Sequence, residues 1–115
     1  MRPPVPDPAS FLPLSQSCFY ILASLAAGPK HGYAIAKDIE ILSEGRVEMA
    51  IGNLYTALKQ LTKAGVIELV EYGGQFSRDR RKPYRISVLG SLVLKEEVNR
   101  FQRMLSIVEQ VQDVG

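Results

Sequence analysis

Between Leu94 and Val108, the apolar residues Leu94, Val98, Phe101, Leu105 and Val108 recur at intervals of 4, 3, 4 and 3. That spacing is a heptad seam along one helix. Leu92, Met104, Ile107 and Val111 widen it with a second apolar edge. The helix is expected over residues 88–112, with Ser87 as its cap. A chain of 115 residues fits one small domain with a modest core. The seam therefore predicts a homodimer, with Leu94, Val98, Phe101, Leu105 and Val108 at its interface.

Three shorter helices precede the seam. The first is expected over Ser15–Ala27, capped by Ser15, with Cys18, Phe19, Leu22, Leu25 and Ala26 on one face. Gly28 and Pro29 stop it. The second spans Gly32–Leu42, with Ile35, Ala36, Ile39 and Leu42 turned inward and Tyr33 expected in the core. The third runs from about Glu48 to Ala64 and ends at Gly65. Ile51, Leu54, Leu58 and Leu61 form its narrow apolar stripe. Met49, Gly52, Asn53, Thr56, Lys59, Gln60 and Lys63 lie opposite, with Tyr55 at the border.

A hairpin separates the third helix from the last. "VIELVEY" (66–72) and "KPYRIS" (82–87) are its strands, around the loop "GGQFSRDRR". Pro83 lacks an N–H and belongs at an edge or near the loop. Residues 1–14, with four prolines before Phe11, read as an extended arm; the plainer alternative is a disordered tail over residues 1–9. Phe11, Leu12 and Leu14 are apolar enough to dock.

This order of elements defines an α+β, mostly α fold. It is a winged helix-turn-helix over residues 15–87, followed by a C-terminal dimerisation helix over 88–115. The formal net charge, +2, is too small to indicate nucleic acid, but it conceals a cluster. Arg78, Arg80, Arg81 and Lys82 in the wing loop face one acid, Asp79, a composition suited to phosphate or minor-groove contact. The outward side of the third helix is small and polar, as a helix entering the major groove requires. Asn53 can pair with adenine, Thr56 can bond a base or touch a thymine methyl, and Lys59 and Lys63 lie where phosphates would pass. The rival reading is a winged helix used only for protein–protein binding. Such a face would tolerate acids or large apolar groups; this one has no acid and only Met49.

Other functions find little support. One cysteine and one histidine provide no disulfide and no Cys/His zinc set. No paired carboxylates or phosphate-cradling glycine loop suggest an enzyme or a cofactor. The apolar run Cys18–Ala27 is too short to span a membrane. The expected location is cytoplasmic. His31, at the mouth of the second helix, is either a phosphate contact or a capping or surface histidine. Cys18 reads as core.

The segments "LAAGPKHGYAIAKDIE", "GNLYTALKQLTKAGVIE" and "RRKPYRISVLG" carry a resemblance over residues 19–112. In order and spacing, their motifs "GPKHGY", "GNLYTALKQL" and "KPYRIS..G" resemble the PadR family of transcriptional regulators, in its small single-domain form. The resemblance implies a dimeric repressor on double-stranded operator DNA, its two recognition helices entering successive major grooves of a palindrome. The last helix, packed with the first, would make the dimer. It further implies Tyr55 near the DNA backbone and the "HGY" start of the second helix near phosphate. In some small members a flat aromatic effector enters between subunits, and Phe101 stands at a suitable position. Two residues depart from the pattern. Ala50 replaces a capping serine or asparagine, so the third helix either starts near Glu48 or relies on packing. Pro83 replaces an aromatic.

Overall fold

Ser15 starts the first helix as expected: its hydroxyl accepts the Cys18 N–H at 3.1 Å. The structure, a computed structural model, describes residues 5–71 and 82–114. Helix α1 spans Gln16–Ala26, and the chain leaves it through Gly28 at φ 143°. Its buried residues are Ile21, Leu22, Ser24 and Leu25, whereas Ala26 is exposed and Cys18 packs at the core's edge. The buried face is thus turned from the predicted one. A helix apolar on most sides has no single stripe to read, and contacts with α2, α3 and α4 choose the face.

Helix α2 spans Gly32–Leu42 and buries Ile35 and Ile39. Leu42 is exposed, contrary to expectation, because the helix ends there and Glu44 and Gly45 turn the chain at positive φ. Tyr33 also departs from prediction. It is 60% exposed, with Lys37 Nζ 5.7 Å from its ring centroid.

A polar cluster joins α1 to α2. Buried Ser24 donates its hydroxyl to Asp38 at 2.8 Å, and Lys30 Nζ bonds both the Ser24 carbonyl, at 2.6 Å, and the Asp38 carboxylate. Lys30, then Ser24, hold the Asp38 carboxyl below the usual carboxylate range. A carboxylate depressed in the folded state stabilises above its unfolded pKa of about 4 and loses that contribution as pH falls through the folded value. The melting temperature of Asp38→Asn should therefore lie below wild type at pH 7 and converge on it as pH falls below about 4. A gap independent of pH would remove the ion pair as its cause.

Helix α3 spans Ile51–Ala64 and buries Leu54, Leu58 and Leu61. It begins at Ile51, not near Glu48, and no side chain caps it at Ala50. Gly65 closes it in the left-handed region, φ 84°. Strands β1 (Ile67–Leu69) and β2 (Tyr84–Ile86) pair antiparallel, Ile67 opposite Ile86 and Leu69 opposite Tyr84. Both are shorter than predicted. Pro83 lies just outside β2, toward the loop, and its carbonyl accepts the Val70 N–H at 2.8 Å. Lys30 pairs with the other edge of β2: its N–H reaches the Tyr84 carbonyl at 2.9 Å, and the Tyr84 N–H returns to its carbonyl at 2.8 Å. β2 is thereby pinned to the segment that leads into α2.

Helix α4 spans Val88–Val114. Ser87 caps it, accepting the Gly90 N–H at 3.0 Å while donating to the Gly65 carbonyl at 2.6 Å. The core collects Ile21, Leu22, Leu25, Ile35, Ile39, Leu54, Leu58, Val66, Ile67 and Val93. The arm is ordered where it docks. Asp7 caps a 3-10 turn at Pro8–Phe11, and Phe11, Leu12 and Leu14 pack on the core. The Leu14 N–H donates at 2.7 Å to Glu97, a fully buried carboxylate that Arg100 also bonds. From Phe101 to Gln112, every side chain of α4 is exposed.

Candidate nucleic-acid interface

Leu54, Leu58 and Leu61 fasten one side of α3 to the core, which fixes what the other side presents. Gly52, Asn53, Thr56, Lys59, Gln60 and Lys63 are all exposed. A side chain built onto Gly52 would meet nothing within 4 Å, so the helix backbone is bare there. Thr56 donates its hydroxyl to the Gly52 carbonyl at 3.0 Å, leaving its methyl and an oxygen lone pair for a ligand. Two residues depart from prediction. Met49 turns inward against the core, and Ile51, assigned to the buried stripe, is 48% exposed. Both lie at the start of α3, where the chain enters the helix and strict 100° spacing no longer governs direction.

Tyr55 occupies the border position expected of it. Its ring lies against Gly32: a Cβ there would stand 2.8 Å from the Tyr55 hydroxyl oxygen and 2.9 Å from Cζ. The glycine of "HGY" thus makes room for the tyrosine of "NLY", a relation between two motifs that neither discloses alone. Tyr84 stands close by. Burial first, and then the nearby Tyr55 hydroxyl, push its own hydroxyl pKa upward. β2, α2 and α3 therefore meet around these two rings.

His31 occupies the cap position of α2, but its side chain makes no capping bond. Its Nδ1 is buried and without a hydrogen-bond partner among the described residues. This excludes the capping alternative. Of the basic wing residues, Lys82 is exposed and pairs with Glu71 at 3.1 Å on the loop side of the two strands. Arg78, Arg80 and Arg81 lie outside the described residues.

The seam of α4 is placed as follows. Leu94 packs at the core's edge, while Val98, Phe101, Leu105 and Val108 are exposed. Phe101 leans edge-on against Phe19 of α1, centroids 5.4 Å apart, and the Arg100 guanidinium lies 5.1 Å from its centroid. Phe19 and Arg100 of its own chain therefore engage the ring, and 38% of the residue remains open. Sequence reasoning missed the Lys30–Ser24–Asp38 cluster and the Leu14–Glu97 bond. Neither has a local signal, since the partners are separated by 8 and 83 positions.

Among the described residues, no group of His, Cys, Asp and Glu could hold a metal ion, and no helix is long and apolar enough to cross a membrane.

Comparisons with known proteins agree with this geometry. A 37.1 kDa protein of transposon TN4556 from Streptomyces fradiae is 33% identical over 84 residues, 73% of this chain. The matched part is 22% of that relative, so the present chain spans about a fifth of its length. The solved structure of a transcriptional regulator from Clostridium thermocellum superimposes with a TM-score of 0.66 at 28% identity, covering 82% of this chain and 87% of that one. PadR of Bacillus subtilis, solved in complex with operator DNA, shares the fold at a TM-score of 0.64 and 23% identity, over 75% of this chain and 48% of that one. The family model of PadR-like transcriptional regulators matches residues 21–96. With that match over most of the folded chain, and with three helices, a pinned hairpin and a long final helix in the expected order, the chain belongs to the PadR-like family of transcriptional regulators, winged-helix DNA-binding proteins and not enzymes.

Proposed function

We propose that the chain is a homodimeric repressor that reads a palindromic operator through α3. The observation that carries this reading is the exposed, small and polar side of α3, with Gly52, Asn53 and Thr56 on it and Lys59 and Lys63 along it. Asn53 and Thr56 would supply base selectivity, and the lysines and wing residues sequence-independent affinity. Tyr55 would meet the DNA backbone. His31, at the mouth of α2, would meet phosphate. Leu94, Val98, Phe101, Leu105 and Val108 would form the dimer, and a small aromatic effector would enter beside the open part of Phe101. The protein would act in the cytoplasm.

Operator binding at several salt concentrations tests the wing. Each phosphate contact contributes about 0.9 to the slope of log K against log salt. Neutralising Arg80 and Arg81 together should lower that slope by about two units. An unchanged slope would sink the wing assignment. Asn53→Ala should relax preference at one operator position by about 1–3 kcal/mol; full retention of selectivity would move the reading role to other residues.

A further inference from the structure

Ile51 is the first residue of α3 and has no place in the core. Met49 and Leu54 turn inward on either side of it, while Ile51 is 48% exposed. A single surface isoleucine is unremarkable in general; here the position makes it informative. The N-terminal residues of a recognition helix are those that contact base edges. Ile51 adjoins Gly52, where an added Cβ would meet nothing within 4 Å. Its other flank borders an open cleft of ≈ 600 Å³ toward Tyr33 and Ala36 of α2. Glu40 and Glu48 also line that cleft and outnumber its one cation, Lys37. A phosphate is therefore disfavoured there.

An isoleucine side chain offers neither donor nor acceptor. In the major groove the one apolar group presented by a base is the thymine 5-methyl. We propose that Ile51 is a specificity-determining residue that packs on the 5-methyl of one thymine in each half-site. The assignment rests on the DNA-binding reading of α3 given above.

The test uses the full-length protein and duplex DNA that it selects from a random-sequence pool. Each thymine of the selected site is replaced in turn by deoxyuridine, which removes only the methyl. At one thymine per half-site, wild type should lose about fourfold in affinity, the worth of one buried methyl group, and about 15-fold when both half-sites are substituted. Ile51→Ala should bind the thymine site more weakly by a similar factor and be indifferent to deoxyuridine at that position. Sensitivity at another thymine that persists in Ile51→Ala would belong to Thr56. Wild type that selects a site yet ignores every deoxyuridine overturns the assignment, as does undiminished sensitivity in Ile51→Ala at every thymine. If wild type selects no DNA sequence at all, the DNA-binding reading itself fails and this assignment falls with it.

Discussion

Gly90→Ala should destabilise the fold by about 3 kcal/mol. Local propensity predicts the opposite sign, since alanine is better than glycine in a helix interior by roughly 0.5–1 kcal/mol. The clash decides. A Cβ on Gly90 would stand 2.0 Å from the Val66 carbonyl oxygen and 2.9 Å from Ile86 Cγ1. The first obstacle is backbone, and it cannot swing aside as a side chain can. The first turn of α4 would have to lift from the start of β1, and the Ser87 bonds to Gly65 and Gly90 would go with it. Urea unfolding of the variant measures the loss. Ser91→Ala, one residue on and exposed, is the control and should change stability by less than about 0.5 kcal/mol. A Gly90→Ala protein as stable as wild type would contradict the packing at this corner.

Leu105→Asp combined with Val108→Asp should yield a folded monomer with operator affinity reduced by about 100-fold or more. Both residues are exposed in the single chain, at 58% and 51%. Neither stabilises the protomer, so circular dichroism should change little. Between them and around them Phe101, Met104, Ile107 and Val111 are exposed as well. Six large apolar residues on one uncovered stretch of helix are not an ordinary surface. A carboxylate in a packed seam is costly unless paired, and two per chain place four in the dimer. Linking two half-site contacts raises avidity by about 10²–10⁴ over one, and separation of the protomers forfeits that factor. Sedimentation at micromolar concentration gives the mass, and operator titration gives the affinity. A wild-type protein that sediments as a monomer, or a double variant that still dimerises, would refute the seam's role.

How much was legible in the sequence differs by element. Helix-ending signals that act through the local backbone were reliable: Ser15 and Ser87 cap the helices they were expected to cap, and Gly65 closes α3. The pattern on α3 was legible from Leu54 onward, because the helix is amphipathic and one side is plainly polar. It misled at Met49 and Ile51, where the entry of the chain and not helical spacing sets direction. On α1, apolar on most sides, periodicity could not select the buried face. Tyr33 was assigned inward on its aromatic character, yet α2 buries Ile35 and Ile39 and leaves the tyrosine outside.

The motifs themselves were legible, but their reasons were not. "HGY" and "NLY" are separate strings until Tyr55 lies on Gly32. The glycine of "KPYRIS..G" has no local purpose until the Val66 carbonyl is found beneath it. The sequence by itself determined the element order, the polar side of α3 and the apolar seam of α4, since each follows from periodicity and short-range capping along one chain. Only the tertiary structure decided that Lys30 ties α1, α2 and β2 together, that Glu97 holds the arm by the Leu14 N–H, and that Ile51 stands outside the core. Those outcomes depend on which surfaces meet across many residues of chain, and close approach between distant segments leaves no period in the sequence to read.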